Sequence, residues 1–249
     1  MIVAEVGINH MGDEEYAKTY VDRLSKSKID AITFQVREKR FYKKVKWQSF
    51  LLSDKFYKNV IPQIRSSNKK VGIAISDIKK IDFFESLDVD FYKILSKDLS
   101  NKKLLTKVLN TTKNVYVSTG MSPMEDIDTM LERFTDQRNQ ISLIHTQLTH
   151  SADQNLRMIK EMRKKFNLPV GFGNHCENLN VLYTALAFQP SDFFVYVKGL
   201  RFNSTKHPDE NHAISIYSID NFVINILELS QALGTGVKSG IENQIKGME

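Results

Sequence analysis

One cysteine in 249 residues removes a whole class of architectures. Cys176 has no partner in the chain for an internal disulfide and cannot build a cysteine-based zinc site. That fits a reducing compartment and marks the thiol as a small buried filler. Long apolar runs are missing as well. No stretch approaches the roughly 18 consecutive apolar residues of a membrane span, and the N-terminus lacks the basic-then-apolar order of a secretory signal. A cytoplasmic protein with no membrane partner is the expectation. The sequence also has no GxxxxGK[ST], GxGxxG or CxxC motif, which leaves nucleotide hydrolysis, dinucleotide redox chemistry and zinc knuckles without support. No low-complexity stretch or linker separates one part of the chain from another, so a single domain over residues 1–249 is the simplest organisation.

What is present is a strong alternation. Apolar, β-branched runs of strand length recur at 2–7, 31–36, 71–76, 91–96, 115–120, 141–146, 168–173 and 193–199. Between them lie segments of helical periodicity such as "EEYAKTYVDRLSKSK" 14–28, "SPMEDIDTMLERF" 122–134 and "SIDNFVINILELSQAL" 218–233. Apolar strands alternating with amphipathic helices imply a parallel sheet covered by helices. Eight such units in about 230 residues is the count and length of a (β/α)8 TIM barrel, although an open doubly wound sheet reads similarly from pattern alone. Residues 234–249 lose periodicity and are expected to form a loose C-terminal tail.

In a barrel of this kind the site lies where the strands exit, so polar residues there are the candidates. Glu5, Asn9 and His10 follow strand one, and Gln35 closes strand two. Lys93, Ser96 and Asp98 belong to strand four and its exit, Ser118 and Thr119 to strand five, His145 to strand six, His175 to strand seven and Lys198 to strand eight. All are expected to converge on one bowl. Inward-facing cations and imidazoles are costly to bury together unless an anion compensates them, so the bowl suits an acid. The excess of 35 Lys+Arg over 29 Asp+Glu agrees with an anionic ligand. The basic stretch "REKRFYKKVKW" 37–47, with its aromatics, is a weak nucleic-acid signal that a solvated loop explains equally well.

In order and spacing, "AEVGINHMGD" 4–13, "DAITFQ" 30–35, "FYKILSKDL" 91–99, "YVSTGM" 116–121, "LIHTQ" 143–147, "LPVGFGNH" 168–175 and "HPDENHAIS" 207–215 resemble the sialic acid synthase family. Those enzymes make N-acetylneuraminate and related nine-carbon keto sugar acids. The resemblance implies condensation of phosphoenolpyruvate with an open-chain N-acetyl amino sugar, aided by a divalent metal such as manganese or magnesium. It implies that Lys93, Ser96 and Ser118 hold the phosphate or carboxylate of phosphoenolpyruvate and that Asp98 is an acid near the reacting centre. His175 becomes one of two metal-binding histidines. Glu5, Asn9, His10 and Gln35 shape the floor, and Asp209 meets sugar hydroxyls. The candidate catalytic residues are then Asp98, Glu5 and His10, and Thr119 and His145 join the substrate-binding set.

The chain departs from the family pattern at the same parts. A phosphate-binding lysine is replaced by Thr33, a threonine after strand three by Ala74, an asparagine after strand six by Leu148, and the second metal histidine by Gly199. His145, His207 or His212 could supply a replacement ligand. The family's C-terminal antifreeze-like domain is expected to be absent, and a barrel homodimer remains compatible with the sequence. Three readings therefore stand side by side. The first is a divergent synthase. The second is a catalytically degenerate barrel that binds a sugar acid or a partner protein without condensation. The third is metal-free chemistry through a Schiff base on Lys93.

Overall fold

The computed structural model describes residues 1–200 and 205–238. Eight parallel strands follow one another in sequence order around a ring: β1 (Ile2–Gly7), β2 (Ala31–Val36), β3 (Lys70–Ile75), β4 (Phe91–Ile94), β5 (Asn114–Ser118), β6 (Ile141–His145), β7 (Val170–Gly173) and β8 (Phe193–Lys198). The ring closes because β8 pairs with β1, Ile2 opposite Phe193 through Glu5 opposite Tyr196. Closure decides between the two topologies that the alternation left open, and the fold is a (β/α)8 TIM barrel.

Both faces of every strand are buried, which is why the strands read as continuous apolar runs. Inside the ring, Val3, Ala31, Phe91, Tyr116, Ile144 and Phe194 form a small plug. The Tyr116 ring stands edge-on to Phe91 and Phe194 at centroid distances of 5.2 and 5.1 Å, a geometry that suits the aromatic quadrupoles. The alternate residues, among them Ile32, Phe34, Tyr92, Ile94, Val117, Leu143 and Phe172, pack outward against the helices in one large cluster. As period two requires, Tyr92 and Ile94 turn away from Lys93.

The covering helices are α1 (Glu14–Leu24), α2 (Lys39–Tyr42), α3 (Asp54–Ser66), α4 (Ile81–Glu85), α5 (Lys102–Leu109), α6 (Met124–Arg133), α7 (Met158–Phe166), α8 (Asn180–Ala185) and α9 (Ile219–Ala232). Several start on side-chain caps that satisfy orphan amides. Asp13 accepts from the Tyr16 N–H, Ser53 from Phe56 and Asn101 from Leu104. The expected loose tail falls on residues 234–238, which are in neither helix nor strand, and on 239–249, which lie outside the described residues. Among the described residues no helix is long and apolar enough to cross a membrane.

One element was not legible beforehand. A two-residue strand, β9 (Ile214–Ser215), pairs in parallel with the end of β8, Val197 opposite Ile214 and Lys198 opposite Ser215. It carries the preceding loop, with Asp209 and His212, across the barrel mouth.

The basic stretch 37–47 folds as α2 and part of a 3₁₀ turn (Val45–Phe50). Its aromatics are spent internally, with Phe41 stacked on Trp47 at 5.3 Å and the Arg37 guanidinium 4.2 Å above the Phe41 ring.

Candidate active site

Lys93 extends from β4 into the ring, nearly buried, and its ammonium bonds the Glu5 carboxylate from β1. The ammonium also lies 5.1 Å from the centre of the Phe194 ring, so the aromatic plug is its floor. The other Glu5 oxygen, Oε2, is buried without a hydrogen-bond partner among the described residues. Burying the pair is tolerable only while both partners remain, because removing either leaves a lone charge in a dry site.

Beyond the pair the mouth opens toward β7, β8 and the 205–213 loop. β1 ends at Gly7 with φ of +57° and a shift of register between Glu5 and Gly7. A side chain at that glycine would crowd Tyr196 at 3.1 Å and Asp209 Oδ2 at 3.3 Å. The bare backbone thus lets Asp209 reach toward Glu5. Burial first, then the Glu5 charge, pushes the Asp209 carboxyl up to about 7, partly offset by Lys93. About a fifth of its side-chain surface (21%) stays open.

Tyr196 comes from β8, on the same face as Phe194 and Lys198. The His175 ring is 5.3 Å from it and 4.8 Å from the His212 ring, and His150 packs 5.3 Å from His212. Three of the chain's six histidines therefore meet at this corner. Burial, followed by the charges of His212, Lys93 and His150, pushes His175 down to about 3. Burial, His150 and Lys198 take His212 down to about 4. A cavity of 540 Å³ opens beside His150 and His212 and is walled in part by Trp47, Lys46 and Lys206.

The loop is held on several sides. Asn9 donates from Nδ2 to the Val197 carbonyl at 2.9 Å, while its Oδ1 accepts from the Asp209 N–H at 3.0 Å. The Lys198 ammonium bonds the Glu210 carbonyl at 2.8 Å. Tyr20 accepts from the Gly199 N–H at 2.8 Å, and Tyr16 bonds the Leu200 carbonyl and shares a 2.7 Å hydrogen bond with His207 Nε2. Asn9 and Lys198 are thereby committed to backbone, clamping the loop.

On the opposite side, Ser96 and Ser118 meet, their hydroxyl oxygens 2.8 Å apart, and the Gly120 N–H donates to Ser96 Oγ at 3.2 Å. This is a compact polar cluster at the β4 and β5 exits. Gln35 shares the inward face of β2 and is half-buried, in register with Ala74, which is itself opposite Lys93.

Four expected members do not join this group. His145 and Thr119 fall on the helix side of their strands, since Ile144 and Ser118 occupy the inward positions. They line a separate cavity with Met124, Met158 and Met162. His145 is there bonded to the Gln154 carbonyl at 2.8 Å. His10 is buried in the turn after β1, with Nδ1 accepting the Gly12 N–H at 2.9 Å, and burial pushes it down to about 3. Asp98 accepts from Ser76 at 2.6 Å and Lys97 at 2.7 Å, and opens into a distinct basic cavity of 400 Å³ beside Lys39, Arg40 and Lys79. Conversely, Tyr196 and His150 went unnoticed in the sequence. Alternation from Phe194 would have found Tyr196; nothing local marks His150.

His175 has no second imidazole on strand eight, where Gly199 stands. A Cβ on Gly199 would lie 2.7 Å from the Tyr16 hydroxyl, so the network that clamps the loop fills that place. Among the described residues, no group of three or more His, Cys, Asp or Glu could hold a metal ion. His212 does offer donors, because both of its ring nitrogens are buried without partners among the described residues.

A family model described as "NeuB family" matches residues 19–238. An uncharacterized protein of Methanocaldococcus jannaschii is 29% identical over 95% of this chain and 73% of its own length. An N,N'-diacetyllegionaminic acid synthase of Campylobacter jejuni is 22% identical over 100% of this chain and 81% of its own length. Among solved structures, an N-acetylneuraminic acid synthetase from Leptospira borgpetersenii, in complex with citrate, superposes with a TM-score of 0.88 at 21% identity, covering 98% of this chain and 89% of that one.

Proposed function

This chain belongs to the NeuB family, and from that premise we propose that it condenses phosphoenolpyruvate with the aldehyde of an N-acetyl amino sugar to form a nonulosonic acid. The observation that carries the reading is the buried Glu5–Lys93 pair facing Asp209 and His175 in one mouth. In this reaction the enol carbon of phosphoenolpyruvate bonds to the aldehyde carbon, whose oxygen takes up a proton. Water adds at the carbon bearing phosphate, and that carbon–oxygen bond breaks as phosphate leaves.

Each group has a task suited to its surroundings. Lys93, fixed by Glu5 above an aromatic floor, is the cation for the carboxylate of the enol acid. The Ser96 and Ser118 hydroxyls supply neutral polar contacts on the same side. Asp209, poised near neutrality by burial, hands a proton to the aldehyde oxygen as charge develops there.

Specific positions favour a second reading, a barrel that binds a sugar acid without condensing anything. Thr33 and Ala74 offer no cation for a phosphate, and the Lys93 charge is already matched by Glu5. One experiment separates the two. Purified protein is incubated with phosphoenolpyruvate, a panel of N-acetyl amino sugars and manganese, while phosphate release and product mass are followed. Phosphate release matched by a keto sugar acid supports the synthase. Binding of a sugar acid in calorimetry with no phosphate release supports the binding barrel.

A further inference from the structure

We propose that the rim spanning residues 39–51, with Lys79 and Lys97 beside it, is a contact surface for an anionic lipid bilayer. None of these side chains has a task in the proposed reaction, so the inference stands independently of the synthase reading.

Five cations, Lys39, Arg40, Lys43, Lys44 and Lys46, are exposed along α2 and the start of the 3₁₀ turn that follows it. The adjacent carboxylate, Glu38, has a side chain only 21% exposed and is already engaged by Arg37, Arg40 and Lys97. Lys39, Lys43, Lys44 and Lys46 have no carboxylate partner among the described residues. A cationic field that no neighbouring acid cancels is drawn to a surface of fixed negative charge. Apolar side chains stand out among these cations. Val45 is 83% exposed between Lys44 and Lys46, Leu51 is 54% exposed where the turn ends, and Ile78 is 38% exposed beside Lys79. One exposed apolar residue is ordinary. Three of them along one basic rim have the composition of an interfacial segment, in which lysines hold headgroups while apolar side chains enter the acyl boundary.

The 400 Å³ cavity joins the parts of the rim, since Lys39 and Arg40 wall it together with Lys79 and Lys97. Its other acids are occupied, Asp98 by Ser76 and Lys97 and Asp77 by the Lys79 N–H. The Lys39 and Lys79 ammoniums are thereby left for a phosphate headgroup. Single-stranded RNA is the other polyanion that such a stretch fits, and it relies on aromatic faces on which bases stack. Here the Trp47 indole is engaged by Phe41 stacked at 5.3 Å, by Phe50 edge-on at 5.1 Å and by the Lys46 ammonium at 4.6 Å. Those contacts make the turn a fixed platform and leave the exposed positions to lysine and aliphatic side chains, which favours lipid. A surface contact needs no spanning helix, and none is present among the described residues.

The test sediments the full chain with vesicles of phosphatidylcholine alone and of phosphatidylcholine carrying about three parts in ten phosphatidylglycerol, at about 0.1 M salt. No substrate or turnover is involved, so failure here leaves the synthase reading untouched, and the reverse also holds. Wild-type protein is expected to sediment with the anionic vesicles only and to be released at about 0.5 M salt, where screening shortens the field. Lys43→Gln, Lys44→Gln and Lys46→Gln combined are expected to weaken the partition on the order of a hundredfold, since each cation near such a surface contributes about a fivefold factor. Val45→Asn is expected to weaken it about fivefold. A control triple, Arg157→Gln, Lys160→Gln and Lys164→Gln, removes the same charge from exposed positions at α7, on the far side of the ring, and is expected to leave binding unchanged. Equal sedimentation with neutral vesicles, no sedimentation with the anionic ones, or equal losses in the two triple variants overturns the proposal. Binding of single-stranded RNA that persists at the salt concentration stripping the vesicles overturns it as well and assigns the rim to nucleic acid.

Discussion

The two sides of the barrel mouth are built differently. On the β4–β5 side, Lys93, Ser96 and Ser118 come directly from strands or the first residues after them, and each meets its neighbour through a side chain. On the β8–β1 side, strand residues are committed to structure: Asn9 and Lys198 hold backbone carbonyls, and Tyr16 fills the space beside Gly199. The imidazoles of that corner come from the end of β7 and from loops, at His175, His150 and His212. One side keeps the motif that the sequence displays, while the other gathers its imidazoles from the end of β7 and from loops. A substitution therefore means different things on the two sides. On the first it removes a side chain that faces the mouth; on the second it loosens the frame.

The largest expected effect breaks the first side. Lys93→Ala strands Glu5 as a lone buried charge and should cost about 3–5 kcal/mol in urea unfolding, whereas the double change Glu5→Leu with Lys93→Met should recover most of it. A double variant no more stable than Lys93→Ala would mean that the pair is not what the site is built around.

Next comes acid. Burial holds His10 neutral down to about 3, while an unfolded histidine titrates near 6.5, so the unfolded chain binds the extra proton between those values. Stability from this group is complete above pH 6.5 and declines as pH falls toward the folded value. Between pH 6.5 and about 4.5 the loss attributable to His10 should be about 2–3 kcal/mol. His10→Asn, whose amide oxygen can accept the Gly12 N–H, should lose correspondingly less over the same range; equal slopes would refute the structural role of that ring.

The Gly199→His change sharpens the contrast on the second side. Restoring a histidine where the family has one should destabilise by about 2 kcal/mol, because its Cβ meets Tyr16, and Tyr16→Ala in the same chain should relieve part of that loss. The smallest effect is Ser96→Ala, which removes one hydroxyl from the polar cluster. It should cost about 1 kcal/mol or less in stability, while weakening phosphoenolpyruvate binding in calorimetry more than Ser76→Ala does, because Ser76 serves Asp98 in the other cavity.

How far the sequence could carry the reader follows the same division. Strands were legible because a parallel barrel buries both faces and demands uninterrupted β-branched runs. That same burial hid their orientation. Leu143, Ile144 and His145 are all buried, so nothing in the hydrophobic pattern says that Ile144 faces the plug and His145 the helices. Lys93 was placed correctly because a charged residue amid apolar neighbours has one tolerable direction, toward a partner. Glu5 as that partner, eighty-eight positions away, needed the closed ring. β9 is two residues long and set by pairing with β8, so no local signal precedes it. His212 and His150 depend on the loops that bring them together.

The central claim is that the mouth around Lys93 is where an enol acid binds, and direct calorimetry of phosphoenolpyruvate with wild-type protein and with the Glu5→Leu, Lys93→Met double variant tests it most closely. The account predicts measurable binding to the wild type and its loss in the variant, with the variant still folded by circular dichroism. Equal binding by the two proteins would contradict it.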